Sequence, residues 1–63
     1  MKLYELLMNT EIQSEYKVVY YDYIKEKRIT VNEEAYADRD ISYLYVDDGI
    51  LHIEIDNEEE ILP

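Results

Sequence analysis

Two alternating runs joined by Asp48-Gly49 constrain the fold of this chain more than any other feature. Residues 41–47 and 50–56 each alternate apolar and polar side chains, which is the pattern of a half-buried β-strand. An Asp-Gly pair between two such runs is typical of a type I′ hairpin, because both turn positions need positive φ. A two-residue turn predicts three cross-strand pairs on one face, namely Val46 with Leu51, Leu44 with Ile53 and Ser42 with Ile55.

The register of this hairpin decides which side chains reach the core. We expect one face of the hairpin to lie in the core beneath a helix. The residues of this face are Leu44, Val46, Leu51 and Ile53. The other face would carry Tyr45 opposite His52, Tyr43 opposite Glu54 and Ile41 opposite Asp56. A three-residue turn would set Leu44 beside His52 and mix the two faces, so the two-residue turn is preferred.

A short helix is predicted at the start of the chain. Leu3, Leu6 and Leu7 share one helical face, so we expect an amphipathic helix over residues 2–9. Residues 10–13 have the spacing of a capping box, which indicates a further helical turn from Thr10.

Two further strands are predicted between this helix and the hairpin. Residues 16–24 are dense in β-branched and aromatic side chains, which favours a strand. Residues 25–27 would form the turn, and residues 28–32 alternate as a second strand, antiparallel to the first. Residues 32–37 form either one helical turn capped by Asn32 or a plain loop.

The predicted fold class is therefore α+β. A short N-terminal helix packs on a small, mainly antiparallel four-stranded sheet that ends in a β-hairpin. Residues 1–63 form one domain, with an acidic C-terminal tail at about residues 57–63. A tyrosine-rich face of the sheet is expected to remain partly open to solvent or to a partner.

The charge balance restricts the classes of partner. The chain has sixteen acidic and six basic residues, which gives a formal net charge of −10. Direct binding to nucleic acid or to an anionic membrane is not expected at this charge. The absence of cysteine excludes disulfides and thiolate zinc sites. The apolar run around Leu6 is too short for a signal peptide or a membrane span, so a cytoplasmic protein is expected.

The layout resembles the short, acidic, uncharacterised proteins that phages and mobile elements of Gram-positive bacteria encode. The matching features are the opening Met1-Lys2-Leu3-Tyr4-Glu5-Leu6-Leu7, the strand Val18-Val19-Tyr20-Tyr21-Asp22 and the closing hairpin over residues 45–55. The resemblance implies a mobile-element origin and an accessory role. Counter-defence proteins, such as anti-restriction and anti-CRISPR factors, are similar in size and charge. The resemblance transfers no active-site residue.

The side chains that carry chemistry give little indication of catalysis. His52 is the only histidine, which excludes a histidine relay or a two-histidine metal site, and a surface position in a cross-strand pair is favoured. The acids around Asp48 fit no calcium-loop spacing. A chain of 63 residues is not expected to build a cleft of about 300 Å³ or more. We therefore expect a non-enzymatic protein with no cofactor, metal or catalytic residue.

Acidic and tyrosine side chains are the candidates for partner binding. If the last strand persists, Glu54, Asp56 and Glu58 form a row with about 6.8 Å between neighbours, close to two base steps of DNA at about 3.4 Å each. Such a row could imitate phosphates, or it could serve solubility alone. The tyrosines are equally consistent with partner binding and with packing. The candidate partner-binding residues are Tyr43, Tyr45, Glu54, Asp56, Glu58, Glu59 and Glu60.

Two functions follow as expectations. The first is a phage or mobile-element accessory protein that binds a protein partner, such as a basic nucleic-acid-handling protein, through this acidic, tyrosine-rich surface. It would act as a nucleic-acid mimic or counter-defence inhibitor. The alternative is a small structural protein that forms a homodimer through its tyrosine-rich sheet face.

Overall fold

The computed structural model describes residues 1–56 and confirms the α+β architecture. One helix precedes four strands that form a single sheet. The predicted acidic tail lies outside the described residues. The elements are α1 (Leu3–Asn9), β1 (Tyr16–Asp22), β2 (Lys27–Thr30), β3 (Ile41–Asp47) and β4 (Ile50–Ile55).

The strand order across the sheet is β2-β1-β4-β3. The β1–β2 and β3–β4 pairs are antiparallel, as the sequence predicts. The central pair of β1 with β4 is parallel and places Val18 beside Ile53. The sheet is therefore mainly antiparallel, with two hairpins joined side by side through one parallel pair.

Helix α1 agrees with the prediction to within one residue. The backbone N–H of Lys2 donates to Glu5 Oε1 at 2.8 Å, which closes the first turn. The helix ends at Asn9, because Thr10 is extended with φ −138° and ψ 135°. The further helical turn expected over residues 10–13 is therefore wrong. In this extended segment, Ile12 is partly buried and packs against the core cluster.

The first hairpin turns earlier than expected. Asp22 Oδ1 accepts hydrogen bonds from the backbone N–H groups of Ile24 at 2.9 Å and Lys25 at 3.1 Å. Such an Asx turn draws the chain out of the strand, so β1 ends at Asp22 and the turn occupies residues 23–26. Glu26 completes the turn with φ 55°. Strand β2 consequently begins and ends earlier than the predicted strand over residues 28–32.

Asn32 acts as a local cap without a following helix. Its Oδ1 accepts hydrogen bonds from the backbone N–H of Glu34 at 2.8 Å and of Ala35 at 3.3 Å. Residues 33–38 then form consecutive turns, so the loop is the alternative that the structure shows. This segment carries the crossover from β2 to β3.

The second hairpin confirms the predicted turn. Asp48 and Gly49 both have positive φ, at 54° and 76°. The observed pairs include Val46 with Leu51, Leu44 with Ile53, Tyr45 with His52 and Tyr43 with Glu54. A register shift between Ile41 and Tyr43 sets Ile41 opposite Ile55. The predicted pairs of Ser42 with Ile55 and Ile41 with Asp56 are therefore wrong, because a bulge uses one extra residue of β3.

The core lies between α1 and the two central strands. Its buried cluster consists of Leu3, Val18, Ile53 and Ile55, and Leu51 packs against it. The prediction that Leu44 and Val46 belong to the core is wrong, because their exposed fractions are 53% and 69%. Both lie on β3 at the edge of the sheet, whereas the cluster beneath α1 draws its strand residues from β1 and β4.

Candidate functional site: an arginine–tyrosine cluster on the open face

The sheet face opposite α1 is here called the open face. Residues that pair directly across strands point to the same face, so the pairing register defines its members. They are Lys17, Val19 and Tyr21 of β1, Arg28 and Thr30 of β2, Tyr43, Tyr45 and Asp47 of β3, and Ile50, His52 and Glu54 of β4.

An ion pair between outer and inner strands organises this face. Arg28 Nε donates to Glu54 Oε1 at 2.5 Å, from β2 across β1 to β4. The Glu54 side chain is only 8% exposed, whereas that of Arg28 is 51% exposed. The hydrogen bond and the negative charge of Glu54 raise the pKa of the Arg28 guanidinium above its usual value. A nearly buried carboxylate is thus neutralised by a half-exposed cation.

Two tyrosine rings flank the same guanidinium. Its central carbon lies 5.5 Å from the ring centroid of Tyr21 and 5.7 Å from that of Tyr45. Both distances are within the range of a cation–π contact, in which the negative ring face attracts the cation. The open face therefore already holds one guanidinium by two rings and one carboxylate.

His52 lies beside this cluster and packs on Tyr45. The two rings are stacked, with centroids 4.9 Å apart and planes 18° apart. The predicted cross-strand pair is confirmed. The surface position expected for His52 is wrong, because the residue is buried.

Val19 shows that these long side chains exclude water. It is buried although it lies opposite the helix. Val19 pairs directly with Glu54, so the route of the Arg28 side chain towards Glu54 passes over β1 in its neighbourhood. The open face thus has a small core of its own, covered by strand side chains instead of a helix.

A shallow groove adjoins the cluster. Its volume is ≈ 300 Å³, and its lining residues are Tyr21, Tyr23, Ser42, Tyr43, Glu54, Ile55 and Asp56. A second depression of ≈ 300 Å³ is lined by Arg28, Tyr43, Leu44 and Tyr45. The expectation that so short a chain lacks depressions of this size is wrong, because long tyrosine side chains of β1, of the turn after it and of β3 form their walls.

The structure separates the predicted partner-binding residues. Tyr43 is 63% exposed, whereas Tyr45 is partly buried against His52. Glu54 is buried and paired, and β4 ends before Asp56, which accepts a hydrogen bond from Ser42 Oγ. Glu54 and Asp56 therefore do not form the exposed row that strand continuation would give. Glu58, Glu59 and Glu60 lie outside the described residues.

Arg28 is the central residue that the sequence did not single out. Its alternating neighbours indicate a strand, but its partner Glu54 is 26 positions away in the chain. Only the parallel pairing of β1 with β4 brings the two within reach. The one signal in the sequence for this site is that Arg28 follows a tyrosine-rich strand and lies on the strand that pairs with it.

Within residues 1–56, no three His, Asp or Glu side chains are grouped so that they could hold a metal ion. No helix in this part of the chain is long and apolar enough to cross a membrane. No family model matches the chain, and no curated protein or solved structure is significantly similar to it. The resemblance to mobile-element proteins therefore stays a prediction.

Proposed function

We propose that this chain is a non-enzymatic accessory protein that binds a basic segment of a protein partner on its open face. The observation that carries the proposal is the internal guanidinium site. Tyr21, Tyr45 and Glu54 already hold Arg28 by two ring contacts and an ion pair. The adjoining groove offers the same side-chain types to a cation from outside.

The groove presents tyrosine rings and acids side by side. Tyr23 and Tyr43 are both exposed, and Asp56 lies in the same lining. Tyrosine supplies a large contact area at a low cost in conformational entropy, and its ring face attracts arginine and lysine. A partner arginine in the groove would thus contact tyrosine rings and a carboxylate, as Arg28 contacts Tyr21, Tyr45 and Glu54.

The net charge supports a basic partner. The chain carries −10 at neutral pH, and two ion pairs between described residues engage basic side chains with its own acids. These are Arg28 with Glu54 and Lys2 with Asp40, the latter at 3.5 Å. Attraction over several ångströms accelerates encounter with a basic surface and weakens as salt rises.

Nucleic-acid mimicry is a narrower form of the same proposal. It adds that the partner's basic segment is one that otherwise contacts phosphates. The acidic run Glu58–Glu60 would extend the acidic surface, and that part of the proposal rests on the sequence alone. A counter-defence role in a phage or mobile element would be one use of such a surface.

The test uses a fluorescent hexa-arginine peptide and a matched pair of tyrosine variants. Tyr43→Ala should weaken binding about fivefold, because it removes one ring from the groove. Tyr4→Ala removes a tyrosine from α1 that is also exposed, and it should leave the affinity unchanged. Fluorescence anisotropy at 50 and 300 mM NaCl gives the affinities, and circular dichroism verifies that both variants fold.

Equal affinities for the two variants would overturn the groove assignment, because overall charge alone would then explain binding. Absence of binding at 50 mM NaCl would overturn the proposed function itself. Weaker binding at the higher salt concentration is expected in every variant that binds.

A further inference from the structure

The two edges of the sheet are protected unequally. Strand β2 has four residues and begins with Lys27 and Arg28, and short length and positive charge both protect an edge. Strand β3 has seven residues, and its only charged residue is Asp47 at the C-terminal end. It contains neither lysine nor proline, and its bulge lies at the N-terminal end between Ile41 and Tyr43, so the stretch from Tyr43 to Val46 lacks the usual protection of an edge strand.

The hairpin turn fixes which backbone groups of β3 are free. A two-residue turn makes Asp47 and Ile50 a hydrogen-bonded pair, and this alternation repeats at Tyr45 and Tyr43. The N–H and C=O groups of Leu44 and Val46 therefore point away from β4. Their exposed apolar side chains lie along the same edge, on the helix side of the sheet.

The beginning of this edge is already occupied by the chain itself. The backbone N–H of Ile41 donates to Met1 O at 2.9 Å, and that of Leu3 donates to Arg39 O at 2.9 Å. Lys2 thus forms an antiparallel bridge with Asp40. A further strand can add only beyond Ile41, where no segment of residues 1–56 pairs with β3 on its outer side.

We propose that β3 pairs antiparallel with β3 of a second copy of this chain, which joins two four-stranded sheets into one. The register follows from the occupied end. Pairing Leu44 with the partner's Leu44 would set the partner's Asp47 against Ile41, where Met1 lies. Moving the register by one residue on each strand pairs Tyr45 with the partner's Tyr45 and avoids this collision.

This register is chemically self-complementary. Leu44 lies opposite the partner's Val46, and Val46 lies opposite the partner's Leu44, so the exposed apolar side chains cover each other. Asp47 lies opposite the partner's Tyr43, so no two carboxylates face each other. The acidic turn after Asp47 comes towards the partner's Lys2, which lies at the blocked end of the edge.

A second copy suits this edge better than a basic strand does. Residues 42–46 are Ser-Tyr-Leu-Tyr-Val, so Asp47 is the only carboxylate of β3 with which a basic strand could form an ion pair. A dimer closed by the open face is also less favourable, because Arg28 and Tyr45 already cover the centre of that face. Leu44 and Val46 are neighbouring exposed apolar side chains on the free β3 edge.

The predicted dimer has a salt dependence opposite to that of the proposed partner binding. Two chains of −10 repel each other, whereas each paired edge carries only one charge, that of Asp47, which lies opposite a tyrosine. Screening should therefore strengthen the dimer as NaCl rises from 50 to 500 mM. An edge of five residues buries little area, so we expect a dissociation constant on the order of 100 μM.

Sedimentation equilibrium of the wild-type chain from 10 μM to 1 mM tests the proposal. The mean mass should rise from 7.7 kDa towards twice that value. Val46→Lys should raise the dissociation constant at least about tenfold, because edge lysines oppose strand addition. Ile24→Lys changes the charge equally at an exposed turn position and should alter the constant less than about twofold.

Amide hydrogen exchange localises the contact. The amides of Leu44 and Val46 should exchange more slowly at 1 mM protein than at 10 μM, whereas those of Tyr43 and Tyr45 should not change. A wild-type chain that is monomeric at 1 mM in 500 mM NaCl would overturn the proposal. Equal effects of the two lysine variants would overturn the assignment to β3. Neither result bears on peptide binding by Tyr43, so the two proposals fail separately.

Discussion

Val18 and Val19 are neighbours in β1 with exposed fractions of 3% and 2%, yet they are buried by different means. Val18 points towards α1 and joins the cluster of Leu3, Ile53 and Ile55. Val19 points to the open face, where the long side chains of the sheet itself provide the cover. The same depth of burial thus comes from a separate element on one side and from Arg28 and tyrosines on the other.

This difference follows from the size of the chain. One helix of seven residues can cover only part of one sheet face. Arginine and tyrosine combine an apolar body with a polar end, so they can cover a strand while their charged or hydroxyl groups stay in water. The helix side therefore behaves as a packed core, and the open face keeps the adaptable side chains that a binding surface needs.

Leu3→Ala should give the largest loss and tests the helix side alone. Leu3 is fully buried, and replacing a buried leucine with alanine costs about 2–5 kcal/mol. A domain of this size has a total stability of only a few kcal/mol, so the variant should be largely unfolded at 37 °C. Urea denaturation at low micromolar concentration gives the loss.

Leu44→Ala is the matched control, because Leu44 is exposed on the same side of the sheet. It should cost less than about 0.5 kcal/mol in the monomer. Comparable losses from the two variants would place Leu44 in the core after all.

Val18→Ala and Val19→Ala compare the two faces directly. Each change removes two carbon atoms, about 1.6 kcal/mol of transfer free energy. Val18→Ala should lose about 2–3 kcal/mol, because the packed cluster cannot fill the cavity, and Val19→Ala should lose about 1–2 kcal/mol, because the covering side chains can settle inwards. Urea denaturation of both variants decides this, and equal losses would mean that the open face packs as rigidly as the core.

How far the sequence determines these faces differs between elements. The hairpin was predictable because the Asp48-Gly49 turn and the alternation are local signals. The exposure of Leu44 was not, because it depends on the strand order and on which strands α1 covers. The Arg28–Glu54 pair was also beyond local reasoning, since it needs the parallel contact of β1 with β4. In the candidate site, only the cross-strand neighbours within the hairpin could be predicted.

Gly49→Val tests the turn that sets the β3–β4 register, and this register decides which side chains of the hairpin lie on each face. The φ of Gly49 is 76°, and an added Cβ meets no atom within 4 Å, so the cost is purely conformational. We expect a loss of about 1–2 kcal/mol in thermal or urea unfolding. Gly49→Asn should lose less, since asparagine tolerates positive φ. Equal stability of wild type and the valine variant would contradict the turn assignment.

Tyr16→Phe should give the smallest effect and probes the rim of the helix side. The Tyr16 hydroxyl donates to the Glu33 carboxylate, at 3.2 Å to Oε1 and 3.1 Å to Oε2. This hydrogen bond, followed by burial and by the charge of Glu33, raises the pKa of Tyr16 above its ordinary value of 10.0. The pair is partly solvated, so its loss should cost less than about 1 kcal/mol at pH 7.

The pH dependence identifies this contribution. Because the native pKa of Tyr16 is raised, its stabilisation is complete below about pH 10 and is lost as pH rises through the native value. The difference in unfolding free energy between wild type and Tyr16→Phe should therefore be constant from pH 7 to 9 and shrink towards pH 11. In a Glu33→Gln background, the difference in unfolding free energy between the tyrosine and phenylalanine forms at pH 7 should be smaller than in wild type. A neutral amide still accepts the hydrogen bond of the Tyr16 hydroxyl but lacks the negative charge. A difference that is unchanged at pH 11 would show that the phenylalanine variant acts through packing and not through this hydrogen bond.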